Sequence, residues 1–309
     1  MISSSLAPVI VPHDGFAALP LACEHLHNEL NTKIFAFACG ASQEVKNRLL
    51  EMQALGKVEL LDLDSNELLT PVEMRNLASA RLTQDYILYL DPNIKVTQSG
   101  VDCLLQSLHE NNADFASPLL LRQNRVLFGG YQLRSTHRAN GELARLKMFD
   151  RYADLPSAGV PAGICASDSV HFHCFVARTS TLHEVFRGWD ERMSGLEAFD
   201  FALRARFHKL KVLVNADVRF ELETKSNFDT FDRMYRAFCS AESFRMLARD
   251  AFEFKWSAAA PSDTRLPRTR KRDVFLRRSL QHRIDNALTR IARYQSPEPK
   301  SQWRELLLG

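Results

Sequence analysis

Asp91 and Asn93 stand two residues apart across Pro92, directly after the apolar run YILYL at 86–90. Proline stiffens the backbone between them, so both oxygen-bearing side chains can face one hard cation, Mg or Mn, or one diphosphate. Asp-Pro-Asn is equally good chemistry for a turn that ends a strand. Glu197 and Asp200 are spaced i, i+3 and share one face of a helix. A carboxylate there can act as a general base, or the pair can serve as an acidic first turn. His13 and Asp14 lie together after the first apolar strand, with a nucleotide contact and a plain loop role both open. His171 and His173 could ligate a transition metal. No nearby carboxylate completes that set, and Cys174 falls on the opposite face of a strand, so a plain strand pair is expected.

These groups need a scaffold, and the first half of the chain supplies one by alternation. Strands are expected at 7–12, 33–39, 57–63, 86–91 and 113–121. Between them helices are expected at 19–31, at 43–55 behind a Ser42 cap, from Pro71 through Arg75 and Asn76, and at 101–111. Strands separated by single helices imply βαβ units and a parallel, twisted sheet, hence an α/β fold. Ligands of such sheets bind where the strands end, which places Asp91 at the edge of a crevice. Residues 128–161 read as one long irregular segment. A strand at 168–177, a short helix at 179–186, a turn at 188–193, a helix at 196–208 and a strand at 210–216 follow. Beyond 228 the pattern is helical, at 228–254 and 274–294, dividing the chain into an α/β domain over 1–227 and a helical region over 228–309.

Composition narrows the function classes. Of 309 residues, 45% are hydrophobic and 25% charged, which is ordinary for a globular protein. The glycine-rich dinucleotide fingerprint and the Walker A motif are both missing, which argues against an ordinary Rossmann dehydrogenase and a P-loop enzyme. No apolar run is long enough to span a bilayer, the start lacks a signal-peptide pattern, and six scattered cysteines suggest reduced thiols. A cytoplasmic setting is expected. The net charge of +3 hides an asymmetry: residues 265–293 hold ten Lys or Arg against Asp273 and Asp285. Leu276, Leu280, Ile284, Leu288 and Ile291 recur there at helical spacing, so this helix packs on the body or a partner, or lies peripherally on an anionic membrane face. No reader motif or aromatic interleaving supports nucleic-acid binding.

The motifs, taken in order, resemble those of family 2 glycosyltransferases with the GT-A fold. VIVPHDG at 9–15 is similar to that family's proline-containing nucleotide loop. MRNLASARLTQDYILYLDPN at 74–93 resembles its Arg-Asn helix followed by a strand ending in an acidic metal or diphosphate motif. Gly188-Trp189-Asp190-Glu191, with Glu197, Asp200 and Arg204, resembles its Gly-Phe-Asp-Glu turn and acidic helix. The segment PVEMRNLA also resembles glucuronyltransferases of the LARGE type. The resemblance covers roughly residues 7–223 and implies a nucleotide-diphospho-sugar transferase fold, mainly parallel and flanked by helices. It implies transfer of a sugar from a nucleotide-sugar to a glycan or lipid-linked hydroxyl, with inversion. Pro12, His13, Asp14, Arg75, Asn76 and Asp91 would hold the donor, Asp91 and Asn93 a divalent cation (Mg or Mn), and Glu197 or Asp200 would act as base.

The chain departs from that pattern at four places. Ala38 or Cys39 stands where the family has a base-contacting aspartate, which leaves the donor nucleotide open. Asn93 replaces an expected carboxylate at the metal position, and Ala198 the aspartate often assigned as base. Glu221 or Glu223 occupies the place of a histidine after the last sheet strand. A catalytically inactive domain that binds glycans or assembles with partners is the alternative these departures would fit.

Overall fold

A computed structural model describes residues 5–62, 67–137, 143–160, 162–223, 229–256, 260–261 and 280–292, and of 135–137 and 143–146 the backbone alone. The expected alternation is present. In chain order it runs β1 (Leu6–Ile10), α1 (Leu19–Leu30), β2 (Ile34–Ala36), α2 (Gln43–Ala54), β3 (Val58–Leu60), α3 (Pro71–Arg81), β4 (Tyr86–Leu90), β5 (Ile94–Lys95), α4 (Gln98–Glu110) and β6 (Phe115–Arg122). It continues with β7 (Arg125–Phe128), β8 (Tyr131–His137), β9 (Leu143–Asp150), β10 (Ile164–Ala166), β11 (Cys174–Arg178), α5 (Glu197–Phe207) and β12 (Val212–Leu222). Helices α6 (Thr230–Cys239), α7 (Glu242–Trp256) and α8 (Gln281–Ala292) complete it.

Local chemistry explains where the helices begin. Ser42 accepts the Val45 N–H and caps α2 as expected. Thr70 and Glu73 form a reciprocal capping box on α3: Thr70 N–H donates to Glu73 Oε2 at 2.8 Å and Glu73 N–H to Thr70 Oγ1 at 3.3 Å. Pro71 follows in the first turn, where its missing N–H costs nothing.

The main sheet has the order β10-β12-β6-β11-β4-β1-β2-β3. β3, β2, β1 and β4 run parallel, β11 runs antiparallel between β4 and β6, and β12 is parallel to β6. From β1 the chain winds outward through β2 and β3, then crosses to the other side of β1 as β4. The crevice of an open α/β sheet lies at such a reversal, beyond the carboxyl ends of the flanking strands. That point is the gap between the segments following β1 and β4. Both strands are apolar runs, and all their residues but Pro8 belong to or pack against one continuous core.

Three sequence expectations are corrected. Residues 128–161 are not irregular throughout: β8 and β9 pair as an antiparallel hairpin from Tyr131↔Asp150 to His137↔Leu143. Polar and charged residues on both faces hide its alternation. His171 and His173 lie before β11 rather than on a strand, in a tight turn closed by a bridge from His171 to Cys174. The helix expected over 228–254 is two, α6 and α7, broken at Ser240 and Ala241.

The C-terminal helices join the body. Tyr235, Phe238, Phe244, Leu280, Ile284, Ala287 and Ile291 belong to the same hydrophobic cluster as the sheet. In α8 the apolar stripe faces inward, and Arg290 is bonded to Glu67, Glu73 and the Leu68 carbonyl. Residues 265–279 and 293 of the basic segment, Leu276 among them, lie outside the described residues. No helix among those described is long and apolar enough to cross a membrane.

Candidate functional site

The β1–β4 register sets the site. Ile10 pairs with Leu90, Val11 N–H donates to the Leu90 carbonyl at 2.8 Å, and the segments that follow, Pro12-His13 and Asp91-Pro92-Asn93, emerge side by side. Asp91 N–H donates to the His173 carbonyl at 2.8 Å, which brings the turn before β11 to the same edge. Three segments distant in sequence thus meet at one carboxylate.

His13 Nδ1 lies 3.5 Å and His173 Nδ1 3.2 Å from Asp91 Oδ2. The centres of the two rings are 4.4 Å apart, and that of His171 lies 4.9 Å from His173, tilted against it. The other oxygen, Asp91 Oδ1, accepts the Asn93 backbone N–H at 3.0 Å and its side-chain amide at 2.5 Å. Asp91 is only 2% exposed. Burial alone would raise its carboxyl, but the two imidazoles outweigh that and hold it well below the usual carboxylate range. Burial, and then the neighbouring His173, lowers His13 to about 4 despite Asp91. His171 is pushed well below its ordinary value by burial, then by His173 and His13. At neutral pH the site therefore contains a carboxylate facing a neutral His13.

That state fits a divalent cation. Metal ligands must be deprotonated, and the ligand atoms of His13, Asp91 and His173 all lie within 4.8 Å of one another. His13 Nδ1 is buried without a hydrogen-bond partner. Two nitrogens and one oxygen suit Mn better than Mg, which prefers oxygen ligands. Asn93 donates its side-chain amide to Asp91, and His173, expected as half of a plain strand pair, stands in the group with His13 and Asp91. Its link to Asp91 spans 82 positions, a distance no local motif reveals.

Arg75 and Glu197 stand beside this cluster. Arg75 projects from α3 into the interior and is 0% exposed, its guanidinium 4.6 Å from the Phe172 ring and 5.6 Å from Trp189. Nε, Nη1 and Nη2 are all buried without a hydrogen bond, and Nη2 lies 3.9 Å from Glu197 Oε1. Burial pulls Arg75 below its ordinary value; the same cation acts on both Glu197 and His13. Glu197, half-buried at the start of α5, accepts the Gly195 N–H at 2.7 Å through Oε2. Burial raises its carboxyl, opposed by Arg75.

The remaining expected residues are engaged elsewhere. Asn76 accepts the Trp189 N–H at 2.7 Å and donates to the Trp189 carbonyl at 2.9 Å and to Glu191 at 2.8 Å. It pins the Gly188–Glu191 turn, where Gly188 has φ +90° and an added Cβ would lie 3.1 Å from Asn76 Oδ1. Asp14 is paired with Arg236 of α6 at 2.6 Å, and Asp232 of the same helix accepts the Phe16 N–H at 2.6 Å. Helix α6 thereby fixes the loop that carries Pro12 and His13. Glu223 pairs with Lys95 at 2.5 Å, and its N–H donates to the Asn93 carbonyl at 2.9 Å.

Asp200 is buried and bonded to Lys255 Nζ and Trp256 Nε1, each at 2.9 Å, while Lys255 also reaches Asp190 at 3.3 Å. Helix α7 thus locks the acidic turn to α5 through one buried ammonium. Removing one partner of such a network strands the others. Lys255→Met is expected to destabilise the fold by about 3 kcal/mol, measurable by urea unfolding.

No family model matches the chain, and no curated protein does. Among solved structures it is similar to GalNAc-T7 in complex with UDP, GalNAc and Mn2+, at 12% identity and a TM-score of 0.52 over 93% of this chain and 56% of that one. It is also similar to residues 1–349 of TarS from S. aureus, at 12% identity and a TM-score of 0.47, covering 93% of this chain and 82% of that chain. This chain thus spans little more than half the length of the GalNAc-T7 chain. At such identity the likeness shows the fold: a GT-A glycosyltransferase fold, with a mostly parallel sheet flanked by helices.

Proposed function

We propose that the protein is a nucleotide-sugar-dependent glycosyltransferase acting on a hydroxyl of a glycan or lipid-linked acceptor, with inversion. The observation that carries this reading is the convergence at the β1–β4 switch point of an ionised Asp91, two imidazoles, and the Arg75–Glu197 pair. Sugar transfer needs two chemical capacities in one crevice: stabilisation of a departing diphosphate and removal of a proton from the acceptor. Both are available here.

A divalent cation held by His13, Asp91 and His173 would neutralise charge on the diphosphate. Arg75 supplies a permanent positive charge beside the same edge. Glu197 is assigned as the base: it is the less enclosed of the two carboxylates, whereas Asp200 is consumed by Lys255 and Trp256. Glu197 takes the acceptor proton as the acceptor oxygen bonds to the anomeric carbon. The bond from that carbon to the diphosphate oxygen breaks, and its electron pair leaves on the diphosphate. One direct displacement inverts the anomeric centre. Its raised carboxyl makes Glu197 a stronger base than an exposed glutamate.

The test is a panel of nucleotide-sugars incubated with the full chain, with release of nucleoside diphosphate as the readout. Turnover of at least one donor is expected; no turnover of any donor, with or without Mn, contradicts the reading.

A further inference from the structure

A cleft of about 180 Å³ opens between the entry to α5, two residues before the proposed base, and α7. Gly195 and Leu196 form one wall, and Glu242, Arg245, Met246 and Arg249 line the other. Gly195 is the residue whose N–H holds Glu197 Oε2, so a ligand seated in the cleft lies against the strand of chain that positions the base.

The lining has a specific chemistry. Arg245 and Arg249 are one helical turn apart and project to the same face of α7, where like charges are mildly destabilising. A single lining carboxylate, Glu242, bonds Arg245, whose Nε remains buried without a hydrogen-bond partner. Arg249 meets Glu253 at only 4.0 Å and is 69% exposed. Met246, 60% exposed, and buried Leu196 add apolar surface of the kind that packs on a sugar ring. Two guanidinium forks over a small, half-apolar cleft match a sugar carrying a phosphate or carboxylate, which arginine binds bidentately.

We propose that this cleft is the acceptor subsite and that its acceptor carries an anionic group, phosphate or carboxylate, near the reacting hydroxyl. The proposal rests on the transferase reading above but is tested without turnover. The full chain is titrated calorimetrically with glucose, glucose 6-phosphate, glucuronate and inorganic phosphate, and the titrations are repeated with the R245Q/R249Q double variant. One anionic sugar is expected to bind about tenfold or more tighter than glucose and than phosphate, and the double variant to lose about tenfold, as for hydrogen bonds to charged groups. Tighter glucose 6-phosphate identifies a phosphorylated acceptor, and tighter glucuronate a uronate. Glu242→Gln, which frees Arg245, is expected to tighten the same sugar several-fold, so a poorly folded double variant does not decide the outcome. Equal binding of glucose, equal binding of free phosphate, or unchanged binding by either variant overturns the assignment. Donor hydrolysis by the unaltered chain reports separately on the transferase reading.

Discussion

Asp91→Ala is expected to abolish sugar transfer, with a loss of about a thousandfold or more, while far-UV circular dichroism keeps its native form. The loss follows from charge: Asp91 is the carboxylate on which His13, His173 and Asn93 converge, and transition-state groups of this kind contribute several kcal/mol each. The fold survives because Asp91 holds its place through its backbone, by way of the His173 carbonyl, and because β4 is anchored by its apolar residues. Asp91→Asn separates charge from shape. It keeps a side-chain acceptor for Asn93 but removes the negative charge, and the same loss of activity is expected. Donor hydrolysis under single-turnover conditions is the measurement; full activity in the alanine variant would remove Asp91 from the mechanism.

Arg75→Met is expected to move activity and stability in opposite directions. A buried cation with three unbonded nitrogens is a cost to folding, and Glu197, whose carboxyl burial already raises, can take up a proton once the cation is gone, so no buried charge is stranded. The melting temperature should therefore hold or rise. Turnover should fall about a hundredfold or more, because the diphosphate loses a fixed positive charge. The pH profile should change as well. Glu197 works as a base only when ionised, so activity falls as pH drops through its raised pKa. Arg75 opposes that rise, so its removal shifts the acid limb to higher pH. A variant that is destabilised and fully active would mark Arg75 as structural support only.

Much of the frame was legible in the sequence, because single helices alternating with short apolar strands leave few topologies open. That Asp91 follows a strand and Glu197 opens a helix was legible too. The assembly around Asp91 was not. It depends on the pairing of Ile10 with Leu90 and on the antiparallel insertion of β11, both long-range choices that leave no local signature. His173 consequently read as half of a strand pair. Asn76 and Asp14 stood at positions suited to donor contacts, yet their partners are the turn at Trp189 and Arg236 of α6. The one available signal for His173 was the His-Phe-His spacing itself, which marks a possible ligand pair but not where its carboxylate comes from. In the C-terminal helix the stripe left the body, a partner and a membrane face open, and the structure buries Leu280, Ile284 and Ile291 against the body.

The central claim is that the β1–β4 switch point binds a nucleoside diphosphate through Asp91, its histidines and Arg75. Thermal unfolding of the full chain, with UDP, GDP, ADP, CDP and TDP in turn and with or without Mn, tests it most directly, because a ligand bound to the native state raises the melting temperature. At least one diphosphate is predicted to raise it, more strongly with Mn, and the rise should vanish in Asp91→Ala. No rise with any diphosphate in either condition would contradict the account.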